Sequence, residues 1–375
     1  MGLHAAGLGR HVAQPVRPVA ASVQLLAALA GSRADTAERA RRYRRRWTLD
    51  LLFIASLTLM PPPRRLAELA LVLAATLSTM VVFALERANA DVLLFLLALA
   101  AGLLAECGLA ARIIGDGLVL FAALLKYYPD VVFIILSRER PAVFAAVAMA
   151  ITVLLAGFFA PLHADIMRGL ANTPSGPYNT DLFAAKNLPF LVGLIVEDPM
   201  KWVVTAGLYA GLAGAALAIC RRLLRLPGMH AGVTALSGRE RILLVIGNAV
   251  IAGCFFAGQS IGYRGIFLLL VLPGLLGLSR SAFRGLRVLC LGTAIVIVLL
   301  MWGEALRRAL DGGFGFWLVR ELGWWWSVSV MLALLADFLR ESPVWRGAAG
   351  WLGGAPAAAV VAALEATGQR RERGP

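Results

Sequence analysis

Long apolar runs recur along the chain, and they constrain its fold more than any other feature of the sequence. Several approach or exceed the roughly 20 residues that a helix needs to cross a hydrocarbon core of about 30 Å. Hydrophobic residues fill 60% of the 375 positions, which is outside the range of soluble globular proteins. The sequence therefore predicts an all-α polytopic membrane protein with about nine or ten transmembrane helices.

Arginine-rich segments separate the apolar runs and give the chain a net charge of +14. Because basic loops remain in the cytoplasm, we assign the segments 39–46, 137–140, 221–241, 279–287 and 340–346 to that side. The external segments are then 61–65, 162–187, 259–264 and 304–321. Both termini are predicted to be cytoplasmic, with a basic arm over 1–46, a membrane domain over 47–340 and a tail over 341–375. Since the charge follows topology and anionic lipid, nucleic acid is not an expected partner.

The stretch Leu118 to Asp130, LVLFAALLKYYPD, brings polar residues into an apolar run that extends from about Gly117 to Leu136. A charge at bilayer depth costs about 3 kcal/mol on insertion scales, so it usually faces protein or a water-filled cavity. Pro129 predicts a break or kink in the helix beside Lys126. Two interpretations stay open: a polar cavity inside the bundle, or a helix end at the interface with a snorkelling lysine.

Two predicted external segments, 162–187 and 259–264, are rich in polar side chains. Aspartate suits a general base, arginine suits phosphate, and asparagine and tyrosine suit sugar hydroxyls. A hydrated loop is polar without any function, and a short turn with a snorkelling arginine also explains the second segment, so these interpretations remain open. The polar residues in the two segments include Asp165, Tyr178, Asp181, Lys186, Asn187, Tyr263 and Arg264.

Metal and cofactor chemistry is not indicated by the sequence. It has no Cys/His spacing typical of a metal site, no phosphate-binding loop and no dinucleotide fingerprint, so we expect neither a metal nor a cofactor. The four cysteines, at 107, 220, 254 and 290, lie in or beside apolar segments. We expect all four to be buried as small hydrophobic side chains.

Four short motifs resemble the family-87 glycosyltransferases and their bacterial relatives, over about residues 60–340. They are ERANAD at 86–91, ALLKYYP at 123–129, NTPSGPYNTDLFAAKNLP at 172–189 and GQSIGYRGIFLLLVLP at 258–273. The resemblance implies a C-type glycosyltransferase-like bundle in the bacterial cytoplasmic membrane, with an extracytoplasmic site and a polyprenyl-phosphate-linked sugar as donor. It also implies a role in cell-envelope polysaccharide biosynthesis, in which an aspartate deprotonates the acceptor hydroxyl and the lipid phosphate leaves.

One departure from that family concerns the first external loop, where its members typically carry the catalytic aspartate. The acids before Pro61 are Asp35, Glu38 and Asp50, and no ordinary first loop surrounds them. Either the start of the chain is altered, or the protein is a relative without transferase activity.

Our first hypothesis is therefore an integral membrane glycosyltransferase, with Asp165 or Asp181 as the base and Lys126 and Arg264 holding the lipid phosphate. A second hypothesis is a non-catalytic lipid-glycan flippase or assembly partner, which the missing first loop favours. A third is a small-solute transporter, which would call for an inverted repeat that we do not find. The further substrate-binding candidates are Tyr127, Tyr178, Lys186, Asn187 and Tyr263, and a structural polar cluster is expected from Glu86, Asn89 and Asp91.

Overall fold

The computed structural model describes residues 47–87, 89–171, 182–196, 200–258 and 260–346. The chain divides into two compact units, Met1–Leu52 and Phe53–Pro375. In the first unit only residues 47–52, the start of one helix, are described. The α-helices are α1 (Trp47–Leu57), α2 (Leu66–Thr76), α3 (Thr79–Glu86), α4 (Ala90–Ala105), α5 (Leu109–Leu125), α6 (Pro141–Phe159), α7 (His163–Ala171), α8 (Asn187–Ile195), α9 (Met200–Leu223), α10 (Met229–Thr234), α11 (Gly238–Ala257), α12 (Leu268–Leu278), α13 (Arg284–Met301), α14 (Gly303–Ala309) and α15 (Phe314–Glu341).

The remaining described elements are two 3-10 helices, Tyr128–Arg138 and Gly262–Phe267, and two strands of two residues each. Strand β1 (Leu182–Phe183) pairs antiparallel with β2 (Ser260–Ile261). The predicted all-α architecture is therefore confirmed.

Within the described ranges, five helices are long and apolar enough to cross a membrane: α6, α9, α11, α13 and α15. The pair α2 and α3, bent by 42° at its break, makes a sixth if it counts as one span. Three shorter apolar helices also occur in the described residues: α1, α4 and Gly262–Leu278. The chain is thus compatible with a multi-pass membrane protein, and the predicted nine or ten spans require the shorter helices to cross as well.

The core of the bundle lies around α11 and α12, whose side chains are nearly all buried. Glycines let these two helices approach closely. A Cβ on Gly247 would lie 2.7 Å from Cγ2 and 3.0 Å from the backbone nitrogen of Val271, and one on Gly274 would lie 2.7 Å from Cβ of Leu244. Small residues at such contacts are how membrane helices gain packing. In contrast, α6 has no buried residue, as expected for a helix that faces lipid.

Most arginines of the described residues lie at one end of the bundle, which we call the basic end, and ion pairs join the segments that meet there. Arg280 binds Glu68 at 3.1 Å and Glu240 at 2.7 Å. Arg138 binds Glu106 at 2.9 Å, and Glu106 packs against Gly238. The basic end comprises residues 64–68, 106–112, 137–140, 221–241, 279–287 and 337–346.

These contacts partly contradict the predicted topology. The segments 137–140, 221–241, 279–287 and 340–346, all assigned to the cytoplasm, do meet at the basic end. The assignment of 61–65 to the other side was wrong, because Arg64 N donates to Glu68 (2.8 Å), which is bound to Arg280. Helices α2 and α3 lead away from the basic end, so the segment from Glu86 to Asp91 lies at the other end of the bundle. We call this the opposite end.

The predicted continuous span from Gly117 to Leu136 was also wrong. Helix α5 ends at Leu125, Lys126 is extended (φ −148°, ψ 139°), and the 3-10 helix begins at Tyr128. Arg112, near the start of α5, binds Glu139 just beyond that 3-10 helix at 3.0 Å. The two segments therefore form a hairpin whose tip is Lys126, and the break predicted from Pro129 is the point of reversal.

Two side-chain expectations hold only in part. The run of three tryptophans at 324–326 is typical of an interfacial anchor, but only Trp326 is exposed, whereas Trp324 stacks on Phe183 and Trp325 packs on Phe255. Cys107 is exposed, whereas the other three cysteines are buried as expected. Cys107 follows the last turn of α4 and therefore lies beyond the packed part of that helix.

Candidate functional site

Three of the four motifs meet at the opposite end of the bundle. Asn89 caps α4 by accepting a hydrogen bond from Asp91 N at 3.1 Å. Lys126 and Tyr128 lie at the tip of the α5 hairpin, and Arg264 lies in the 3-10 helix that precedes α12. Each motif is thus placed at a helix end or break, where its polar groups are free to face one another.

Asp91 is the centre of this cluster and is fully buried. Its Oδ1 accepts hydrogen bonds from Lys126 Nζ at 2.7 Å and from the Tyr128 hydroxyl. Lys126 Nζ also lies 3.4 Å from Asn89 Oδ1. The second carboxylate oxygen of Asp91, Oδ2, has no hydrogen-bond partner in the structure. The carboxylate therefore holds the lysine with one oxygen and leaves the other for a donor.

Arg264 supplies a second cation. Its Nη1 donates to Ser260 Oγ at 2.8 Å, and its guanidinium lies 4.8 Å from the ring centre of Tyr128. Its buried Nε has no hydrogen-bond partner. Ser260 in turn donates to the carbonyl of Cys254 at 3.1 Å, so the arginine is oriented by the end of α11.

Aromatic rings and cations alternate outward from this centre. Lys126 Nζ lies 5.8 Å from the ring centre of Tyr263, and the Tyr263 ring lies 6.0 Å from Phe83. Arg87 lies 4.4 Å over the Phe83 ring. Such contacts hold the cations by their attraction to the ring faces, while their hydrogen-bond donors stay available.

The cluster carries more positive than negative charge. Lys126 and Arg264 face one carboxylate, Asp91, and among the described residues Arg264 has no ion pair. Lys126 keeps 27% of its side chain exposed, so the cluster is open on that side. An anion with oxygen acceptors fits this arrangement, because arginine and lysine bind phosphate oxygens through charge-assisted hydrogen bonds.

A second buried polar group lies at the same end. Asn187 Nδ2 donates to Glu321 Oε2 at 3.2 Å, and Arg320 lies 3.3 Å from Glu321 Oε1. Asn187 and Arg320 also both donate to the carbonyl of Leu182, at 3.3 Å. Since Leu182 pairs with Ile261 across the two strands, this group braces the turn that carries Arg264.

The other predicted site residues are dispersed. Asp165 lies on α7 with its side chain 69% exposed and is paired only locally, with Arg168 at 3.4 Å. Glu86 and Lys186 are exposed, and Tyr127 contacts Tyr128 edge to face. Asn187 belongs to the second polar group. Tyr178 and Asp181 lie outside the described residues.

Glu304, in α14 at this end, lies outside the membrane-spanning helices and has a shifted pKa. Arg307 and Arg308 donate to Glu304 in α14, at 2.7–2.9 Å. The largest effect on the pKa of Glu304 is the hydrogen bond from Arg307, which lowers it. Burial of the carboxylate opposes this effect and the hydrogen bond from Arg308 adds to it, so the pKa lies below its usual 4.5. Glu304 is therefore ionised at neutral pH and neutralises part of the local arginine charge.

Sequence reasoning did not identify Glu321, Arg320, Ser260 or Tyr128 as members of a site. Glu321 and Arg320 carried a signal, because charged residues inside an apolar helix mark functional or packed positions. The predicted external segment 304–321 contained both residues, whereas α15 begins at Phe314 and includes them. Ser260 has no comparable signal.

Comparison with known proteins does not narrow the function further. The chain matches no protein-family model, no curated protein and no solved structure.

Proposed function

We propose that this chain is a bacterial inner-membrane protein that binds a polyprenyl-phosphate-linked sugar at the Asp91–Lys126–Arg264 cluster and transfers the sugar in envelope glycan assembly. The observation that carries the proposal is the meeting of three separate motifs in one cluster with two cations and one carboxylate. A lipid phosphodiester is an anion, and its oxygens match the donors of Lys126 and Arg264.

The charge distribution supports an extracytoplasmic site. Basic segments favour the cytoplasm, and most arginines of the described residues lie at the basic end. The cluster is at the opposite end, so the proposed donor lipid would be engaged from the outer leaflet. The C-type bundle named by the resemblance remains part of this proposal.

The transfer itself needs a base, a leaving group and an electrophile. The acceptor hydroxyl loses its proton to an aspartate and attacks the anomeric carbon, and the lipid phosphate leaves with the bonding electron pair. Lys126 and Arg264 would stabilise the charge on that phosphate, which increases as the bond breaks. Asp91 joins Asp165 and Asp181 as a candidate base, because its Oδ2 has no hydrogen-bond partner.

A second candidate function is lipid-glycan flipping or assembly without catalysis. The observation that favours it is the state of Asp91, which is bound to both Lys126 and Tyr128. One oxygen of this carboxylate already accepts two hydrogen bonds, and Asp165 is exposed and apart from the cluster. Under this function the same cations would hold the lipid phosphate during passage.

A reconstituted transfer assay separates the two functions. The purified chain in liposomes receives radiolabelled polyprenyl-phosphate sugars and a lipid or glycan extract as acceptor. Transfer that is lost in one of Asp91→Asn, Asp165→Asn or Asp181→Asn, and reduced in Arg264→Ala, supports an enzyme and identifies its base. Donor binding without transfer supports the second function, and neither binding nor transfer with any donor refutes both.

A further inference from the structure

A separate cavity of about 490 Å³ opens at the basic end, far along the bundle from the Asp91 cluster. Its wall is formed by the loop before α2, by α10, by the start of α11 and by the turn between α12 and α13. The lining includes Arg64, Ala235, Glu240, Arg280, Ser281 and Phe283. Nothing in the proposed transfer uses this cavity.

Two carboxylates lie at or beside the cavity, Glu240 in its lining and Glu68 next to it, and one oxygen of Glu68, the buried Oε1, has no hydrogen-bond partner among the described residues. Arg280 binds both Glu68 and Glu240, and Glu240 Oε2 accepts hydrogen bonds from the backbone and hydroxyl of Ser237 at 3.0 and 2.8 Å. In contrast, the exposed guanidinium of Arg64 has no ion pair among the described residues. Its donors are therefore available at the mouth of the cavity.

Another cation stands at the same rim. Arg287 Nε donates to the carbonyl of Ser281 at 3.2 Å, and Ser281 lines the cavity. Arg65 and Arg284, which follow the lining residues Arg64 and Phe283 in the chain, are also exposed. With both carboxylates engaged by Arg280, the free donors at the rim are cationic, which favours an anionic head group over a neutral one.

Two exposed apolar stripes begin beside the cavity and continue toward the bundle centre. One follows α2 through Leu66, Leu69 and Leu73 to Leu77, and the other follows α13 through Val288, Leu291 and Ile295 to Leu299. Each stripe covers eleven residue steps, about 17 Å at 1.5 Å per residue, which is about half of a 30 Å hydrocarbon core.

Helices α2 and α13 are in contact, so the two stripes lie on neighbouring helices. The indole of Trp302, at the end of α13, donates to the carbonyl of Ala74 in α2 at 2.7 Å. A polar cavity with cations at its mouth thus leads into a paired apolar surface of one-leaflet depth. An exposed apolar stripe by itself is ordinary for a membrane helix. Here both stripes begin beside one polar cavity, and this combination favours a ligand with a charged head and apolar chains.

We infer that this cavity binds the head group of an anionic diacyl phospholipid, with Arg64 at the phosphate and the acyl chains along α2 and α13. The chemistry required is a phosphate that carries two long apolar chains. A free phosphate would use the cations but leave the stripes unused.

The test measures lipid binding to the purified full chain in neutral detergent by native mass spectrometry. The lipids are phosphatidylglycerol and phosphatidylcholine, and inorganic phosphate is added as a competitor. We expect one phosphatidylglycerol to bind in preference to phosphatidylcholine and to resist millimolar phosphate. Equal binding of the two lipids, or displacement by inorganic phosphate alone, would overturn the inference.

Two variants and a control locate the site. Arg64→Gln removes an exposed cation and should weaken phosphatidylglycerol binding about fivefold. Ala235→Trp places a large ring in the cavity while keeping every charge, and it should abolish the preferred site. Arg222→Gln removes an exposed arginine on α9, which does not line the cavity, and should leave binding unchanged. If Arg64→Gln and Ala235→Trp both bind like the parent chain, the lipid lies elsewhere and the inference fails.

Discussion

Removing one partner of the Asp91–Lys126 pair should destabilise the protein more than removing both. The 2.7 Å separation corresponds to an attraction of roughly 6 kcal/mol at an effective dielectric constant of about 20. Lys126→Met leaves a fully buried carboxylate without its cation, and breaking a buried pair in this way costs about 3–5 kcal/mol. Asp91→Asn should cost less, because the lysine is 27% exposed and gains hydration.

The measurement is a double-variant cycle on Asp91→Asn, Lys126→Met and their combination. The free energy of unfolding is obtained in mixed micelles by titration with a denaturing detergent. We expect a coupling energy of about 2–3 kcal/mol. The control cycle uses Arg112 and Glu139, whose side chains are 44% and 32% exposed and should couple by less than about 1 kcal/mol. Additive single effects at Asp91 and Lys126 would refute the description of the cluster as a buried pair.

Three further predictions concern packing, pH and the site turn. Gly247→Ala should destabilise by about 1–3 kcal/mol, because the added Cβ meets the backbone of Val271, whereas Gly292→Ala on α13 has open space and should be neutral or stabilising in the same thermal unfolding assay. Because the pKa of Glu304 is lowered from 4.5, its stabilising contribution is present above that value and is lost as the pH falls below it. The thermal midpoint of Glu304→Gln should therefore be below that of the parent chain at pH 7, and the difference between the two midpoints should narrow by pH 3. A difference that stays constant contradicts the assignment. Ser260→Ala removes the acceptor of Arg264 Nη1 and should weaken binding of a polyprenyl-phosphate sugar severalfold, about 1 kcal/mol, without changing thermal stability to the same degree.

Hydropathy and proline positions predicted most helices of this bundle. Pro141 starts α6, as expected for proline at a first helical position. The apolar runs at 201–220, 242–258 and 286–303 predict spans whose ends differ from those of α9, α11 and α13 by at most four residues. This success has a simple cause, since every backbone polar group in a bilayer must be satisfied within its own helix. Helix identity is therefore a local property, which the sequence contains.

The topology shows where local information ends. Two errors compensated one another: 61–65 was assigned to the wrong end, and the reversal at Lys126 was taken as a single crossing from Gly117 to Leu136. Each error changes the side of the following segments, so together they left the later basic loops correctly grouped. The 3-10 helix that returns from Lys126 has eleven residues and is as apolar as half of a membrane span. Hydropathy therefore cannot distinguish this returning segment from the second half of a single crossing helix.

The candidate site was predictable residue by residue but not as a constellation. Lys126 was singled out because charge is costly in apolar sequence, Asn89 and Asp91 as members of a structural polar cluster, and Arg264 as a candidate to hold phosphate. Their meeting depends on the reversal at Lys126 and on the side to which α3 leads, and neither is visible in the motifs. Glu321 was not singled out at all. Its neighbour Arg320 is adjacent in sequence, whereas its other partner, Asn187, reaches it only through tertiary packing.

Equilibrium binding of a radiolabelled polyprenyl-phosphate sugar tests the central claim most directly. It would be measured on the purified chain and on Lys126→Gln, Arg264→Gln and Arg308→Gln, the last being an exposed arginine at the same end that is paired with Glu304. The account predicts that each of the first two weakens binding about tenfold or more, and that Arg308→Gln binds like the parent chain. Equal binding by all four proteins, or no saturable binding to the parent chain, would contradict it.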